Sequence, residues 1–116
     1  MIKTIAFFVY PVLDVPRARQ FYEGTLGLVQ TSNYQDEWVE YDTGGGTFAI
    51  STMLEQRIPG ARGGMAAFEV EDFKEAVAKL KAKGVPFITE PFETPVCRMA
   101  CIADPDGNGI LLHSKK

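Results

Sequence analysis

Histidine is nearly absent from this sequence: His113 is the only one, so a single imidazole is available for acid–base chemistry. Cysteine is scarce as well. Cys97 and Cys101 are the whole complement, and on one strand their Cα atoms would stand about 13 Å apart at ~3.3 Å per residue. A disulfide spans roughly 4.4–6.8 Å, so free thiols in a reducing cytoplasm are expected. Neither sign of charge dominates: 12 Lys and Arg against 15 Asp and Glu give a net charge of -3. Scattered in this way, the cations leave no electrostatic footprint for nucleic acid or an anionic membrane, and neither is expected as a partner. No long apolar run exists either. The stretch from Ile5 to Val15 follows Lys3 but is interrupted by Pro11 and Asp14. It lacks a small-x-small cleavage site and is far short of the ~20 residues of a membrane span. A buried strand explains it better than a leader. What is present is an ordinary globular composition, 46% apolar in 116 residues, which suits one packed domain.

The chain repeats itself at half its length. An apolar run ending at Asp14 leads into a helical pattern, and so does one ending at Asp72. Each aspartate can cap the helix behind it by accepting from free backbone N–H groups. Glu75 makes the second start resemble a capping box, and Pro16 is tolerated in the first turn because its missing N–H would be unpaired there anyway. Val15, Ala18, Phe21 and Tyr22 recur at helical spacing, as do Phe73, Ala76, Val77 and Leu80. Gly27 and Gly84 then stop the helices. Strand patterns follow at 28–34, 38–42 and 47–52 in the first half, and at 85–89, 98–103 and 110–113 in the second. Turns at Gly44-Gly45-Gly46 and Asp106-Gly107 separate them. The glycine run is read as a hairpin and not a phosphate cradle, since no helix start and no Lys-Ser or Lys-Thr pair follows it.

Strand–helix–strand–strand–strand, written twice, predicts an α+β fold: paired βαβββ modules at about 1–53 and 64–116, a linker at 54–63, and a curved, mixed, mostly antiparallel sheet around a cup. By alternation Phe7 and Val9 face one way and Phe8 and Tyr10 the other. Both sets are apolar, as expected if one face packs on a helix and the other lines a cleft between the halves. The linker contains Arg57 and Arg62, which could close over an anionic group or simply be solvated.

These features resemble the vicinal oxygen chelate superfamily, the glyoxalase, bleomycin resistance protein and dioxygenase group. Val12-Leu13-Asp14, the run Arg17-Ala18-Arg19-Gln20-Phe21-Tyr22-Glu23 and Leu26-Gly27-Leu28 are similar to its first strand and helix. Phe68-Glu69-Val70-Glu71-Asp72 is similar to its fifth strand, and Asp104-Pro105-Asp106-Gly107-Asn108 to the turn before its last. Metal-dependent members carry ligands at positions that here are Phe7, Met65, Leu111 and, aligned more loosely, Ala49. The resemblance thus implies that the usual metal is missing, because a divalent transition metal needs imidazole, carboxylate or thiolate donors. No metal and no other cofactor is expected. What remains is an apolar cup lined by Phe7, Val9, Ala49, Ser51, Met65, Ala67, Cys101 and Leu111, suited to a small hydrophobic or aromatic molecule. Resemblance also implies a homodimer.

His113 shares a strand face with Leu111, and Glu69 with Met65 and Ala67, so the two could meet as general base and orienter. Plainer readings put His113 at a solvated strand end and Glu69 at a wet sheet edge. Cys101 is either a cup thiol or a small buried hydrophobe. Trp38 and Tyr41 lie on opposite faces of one strand, so at most one can meet the cup. Three functions stay open: a binding or sequestering protein, a metal-independent lyase or isomerase using His113 and Glu69, and a structural or regulatory dimer whose cup is filled by its own side chains.

Overall fold

Each half begins with a strand that a capped helix folds back upon. In the computed structural model, which describes residues 1, 3, 5–54 and 57–116, β1 is Phe8–Pro11 and α1 is Val15–Arg19. The Asp14 carboxylate accepts from Arg17 N at 3.1 Å, as the sequence predicts for the cap. The helix does not simply run on to Gly27. From Gln20 to Thr25 it widens into a π-helical segment, closed by Leu26 N bonding to Phe21 O at 2.9 Å. Gly27 follows with φ 75°, a conformation a side chain would oppose. β2 (Val29–Tyr34), β3 (Trp38–Asp42) and β4 (Thr47–Ser51) complete the half. The second half repeats the order with β5 (Ala66–Glu69), α2 (Phe73–Ala82), β6 (Phe87–Glu93), β7 (Cys97–Ala103) and β8 (Gly109–Lys115).

The fold is α+β, with two mixed four-stranded sheets ordered β1-β4-β3-β2 and β5-β8-β7-β6. In each, the first strand pairs in parallel with the last and the remaining pairs are antiparallel. By contacts the described chain divides into two compact units, Met1–Ala61 and Arg62–Lys116. Of the linker expected at 54–63, Glu55 and Gln56 lie outside the described residues. Around them Leu54 O accepts from Arg57 N and Ile58 O from Ala61 N.

β6 is longer than the pattern suggested, reaching Glu93 through Pro91. Proline has no N–H to give a ladder, and the pairing with β7 shifts register between Thr89 and Phe92 to accommodate it.

In the first unit Tyr22 of the π-helical segment packs on Phe48 with ring centroids 5.1 Å apart, and Tyr10 and Tyr41 flank the same ring at 5.6 and 6.4 Å. Burying one such side chain contributes about 1.5–3 kcal/mol. Because Tyr41 and Phe48 are register partners, their face is the one the helix covers. In the second unit Lys81 of α2 lies over the Phe87 ring at 5.1 Å, and Phe87 pairs with Ile102, so α2 covers the face bearing Ile102, Ile110 and Leu112. Each sheet is left with one face that its own helix does not cover.

Candidate functional site

Register determines what those helix-free faces carry. In the first unit Val9 pairs with Ala49, Ala49 with Glu40, and Ser51 with Trp38. Phe7 joins them, its ring edge-on to Trp38 at 5.4 Å. Trp38 therefore takes the helix-free face and Tyr41 the packed one. The indole N–H donates to Glu40 Oε2 at 2.9 Å, so the surface is aromatic with one carboxylate whose donor is already in place. Of the expected residues here, Phe7 is 43% exposed and Ala49 fully buried. Ser51 is committed: its Oγ donates to Glu37 O at 2.7 Å and accepts from Met53 N at 2.8 Å. That leaves its hydroxyl no proton to offer a ligand.

In the second unit Ala67 pairs with Leu111 and Glu69 with His113, while Cys101 and Met99 oppose Leu111 and His113 from the other side. The expected partners meet: His113 Nδ1 stands 2.5 Å from Glu69 Oε1. The other carboxylate oxygen accepts from Lys115 N at 2.8 Å. That backbone bond first, and the imidazole second, hold Glu69 below the usual carboxylate range. An ionised carboxylate only accepts, so Nδ1 carries the proton of the neutral ring and Nε2 is left with a free lone pair. An imidazole oriented through Nδ1 and open at Nε2 can accept a ligand's hydroxyl proton. β5 is an edge strand and Glu69 is exposed, so the pair sits at a wet rim.

Deeper on that face, Met65 is 44% exposed and Cys101 6%, with Cys101 Sγ 3.5 Å from Met65 Sδ. Burial pushes the Cys101 thiol up, the opposite of what a nucleophile needs. Among the described residues no three His, Cys, Asp or Glu side chains cluster to hold a metal ion.

The second unit also holds an open cleft of about 460 Å³, lined by Phe73, Lys74, Val77, Pro91, Phe92, Glu93 and Arg98. None of the residues expected to line a cup contributes to it. Sequence reasoning left Trp38 undecided, placed Met99 on the face of Cys101 without giving it a role, and did not single out Glu40. The period-two pattern in β3 and β7 carried that signal, but only register says which side chains it aligns across strands.

No helix among the described residues is long and apolar enough to cross a membrane. No curated protein matches the sequence significantly. The family model for the Glyoxalase/Bleomycin resistance protein/Dioxygenase superfamily matches residues 4–112. Among solved structures, the chain is 28% identical to a glyoxalase/bleomycin resistance protein from Streptomyces sp. CB03234, covering 94% of this chain and 98% of that one at a TM-score of 0.79. It is 26% identical to TnmS3, an antibiotic binding protein from the same organism, over 99% and 98% at 0.80. A lactoylglutathione lyase from Agrobacterium tumefaciens shares the fold at 18% identity, over 98% and 95%, with a TM-score of 0.78.

Proposed function

The chain belongs to the Glyoxalase/Bleomycin resistance protein/Dioxygenase superfamily, and on that premise we propose that it binds or sequesters a small hydrophobic or aromatic molecule without a divalent metal. One observation carries the reading: Phe7, Ala49, Met65 and Leu111 stand where the resemblance puts the family's metal ligands. A phenyl, a methyl, a thioether and an isobutyl group supply no imidazole, carboxylate or thiolate. The usual metal does not fit this donor set, and no step is routed through one. In its place the helix-free faces offer apolar surface, with Trp38 and Phe7 in edge contact on one and Leu111, Met65 and Ala67 on the other. Similarity to an antibiotic binding protein over nearly the whole chain supports the same reading.

Trp38 is the only tryptophan, so its fluorescence reports on the first of these faces. Titrating metal-stripped protein with a panel of polycyclic aromatic compounds is expected to quench it saturably. Phe7→Asp is expected to weaken binding about tenfold, since losing 1.4 kcal/mol of apolar contact does so. Absence of saturable binding across the panel would overturn the proposal.

A second reading rests on the 2.5 Å contact of His113 with Glu69: metal-independent proton transfer by a lyase or isomerase, with His113 Nε2 as the base. His113→Ala would then abolish turnover while leaving aromatic binding intact. The binding reading also takes the chain as a cytoplasmic homodimer, for which light scattering should give about twice 12.8 kDa.

A further inference from the structure

Sulfur is gathered on one side of the second sheet. β7 reads Cys97-Arg98-Met99-Ala100-Cys101, so by alternation Cys97, Met99 and Cys101 project to the same face. Met65 reaches that face from just ahead of β5 and brings its thioether to 3.5 Å from the Cys101 sulfur. Gly109 keeps room beside them. A Cβ at that position would stand 3.2 Å from Met65 Sδ, 3.5 Å from Cys101 Sγ and 3.7 Å from Ile88 Cδ1, so any larger residue would press on the thioether and glycine spares both sulfurs that contact. Met99 lies one alternation from Cys101, and His113 is its direct partner across the ladder. Cross-strand partners hold their Cβ atoms about 4.5–5.5 Å apart.

A thiol and a thioether in contact, with a second thioether and an imidazole on the same strand face, make a donor set that hard cations refuse. Soft, closed-shell cations prefer it. We propose that this face binds one monovalent soft cation, Cu(I), with Ag(I) as its redox-inert probe, between Cys101 Sγ and Met65 Sδ with Met99 as a third ligand. Binding forms metal–sulfur bonds and breaks the Cys101 S–H bond, whose proton passes to water; no electron is transferred. The cation enters over Met65, which is 44% exposed, because Cys101 is only 6% exposed. Cys97 stands apart. Its sulfur is engaged with Thr94 Oγ1 at 3.1 Å, two alternations along the strand. The site goes beyond the aromatic-ligand reading and does not depend on it, since bound silver and released protons are read without any aromatic ligand present.

The test is an Ag(I) titration of the reduced full-length chain, following bound metal by native mass spectrometry and released protons by pH-stat. One Ag(I) is expected to bind most tightly, releasing one proton. Cys101→Ala should abolish that event and Cys97→Ala should leave it unchanged. Met65→Leu should weaken it about tenfold or more, at least the loss seen when a metal site's supporting groups are removed. Should Cys101→Ala fail to fold, Met65→Leu still decides, because it conserves volume. Two equal equivalents, one lost with each cysteine and neither sensitive to Met65→Leu, would overturn the site and show two independent thiols. Aromatic binding measured on the silver-free parent through Trp38 fluorescence reports separately on the function proposed above.

Discussion

Replacing Tyr41 by Phe removes one oxygen from the interior of the first unit and leaves the ring stack in place. The buried phenol donates to Glu23 Oε2 at 2.8 Å, and the same carboxylate takes two bonds from Arg19, at 2.7 and 3.3 Å. Arg19 extends the network to Asp36 at 3.1 Å. A hydrogen bond to a charged acceptor contributes about 1.5–3 kcal/mol. The Glu23 side chain is 28% exposed, so water can take over part of the lost bond and the lower end, about 1.5 kcal/mol, is expected. For a chain of this size that is roughly 5–8 °C in Tm. The effect also depends on pH. Arg19 first, and the Tyr41 hydroxyl with it, holds Glu23 below the usual carboxylate range. A lowered carboxylate stabilises the fold above its unfolded value of about 4.3 and loses that contribution as pH falls through the folded value. Burial meanwhile pushes the Tyr41 phenol up, so it remains a donor throughout. Urea unfolding of parent and Tyr41→Phe at pH 7 and pH 3 should therefore show the full loss at pH 7 and a smaller one at pH 3. Equal losses at both pH values, or a loss at pH 7 under about 0.5 kcal/mol, would refute the reasoning.

Asp104 is buried and accepts from Asp106 N, Asn108 N and Asn108 Nδ2 at 2.8–2.9 Å. Asp104→Ala strands these donors and should cost about 2–4 kcal/mol in chemical denaturation. The β2–β3 turn, closed by Glu37 N to Tyr34 O at 2.8 Å, holds Gln35 and Asp36 at φ 52°, a left-handed backbone that glycine and asparagine adopt far more readily than glutamine. Gln35→Gly should raise stability by about 1 kcal/mol in thermal melts, and a lower Tm would contradict this. Nitrogen-15 NMR of the neutral His113 ring should show the proton on Nδ1; a majority of the Nε2–H form would dismantle the assignment of Nε2 as acceptor.

The architecture was legible because the repeat is written in residues whose physics is local. Asp14 and Asp72 cap the helices, and Gly27 and Gly84, both at φ 75°, end them. The meeting of His113 and Glu69 was foreseeable from alternation once their two strands lay side by side. The π-helical widening at Gln20–Thr25 was not, since its bonds serve to bring Tyr22 onto Phe48, a tertiary contact. β6 runs past the 85–89 pattern because a register shift between Thr89 and Phe92 absorbs Pro91. The Arg19–Glu23–Tyr41 network and the Met65–Cys101 contact join residues far apart in the chain, and only the pairing of strands reveals them. Ser51 looked like a site hydroxyl by its face, whereas its bonds to Glu37 and Met53 show it holding the chain at the end of β4.

The central claim, binding of an aromatic molecule without a divalent metal, is tested most directly by calorimetry on EDTA-treated protein whose metal content has been measured on the same sample. A saturable one-to-one titration with a polycyclic aromatic compound, and no stoichiometric Fe, Mn, Ni or Zn, is the result expected. One equivalent of such a metal surviving dialysis, or aromatic binding that returns only when the metal is restored, would contradict it.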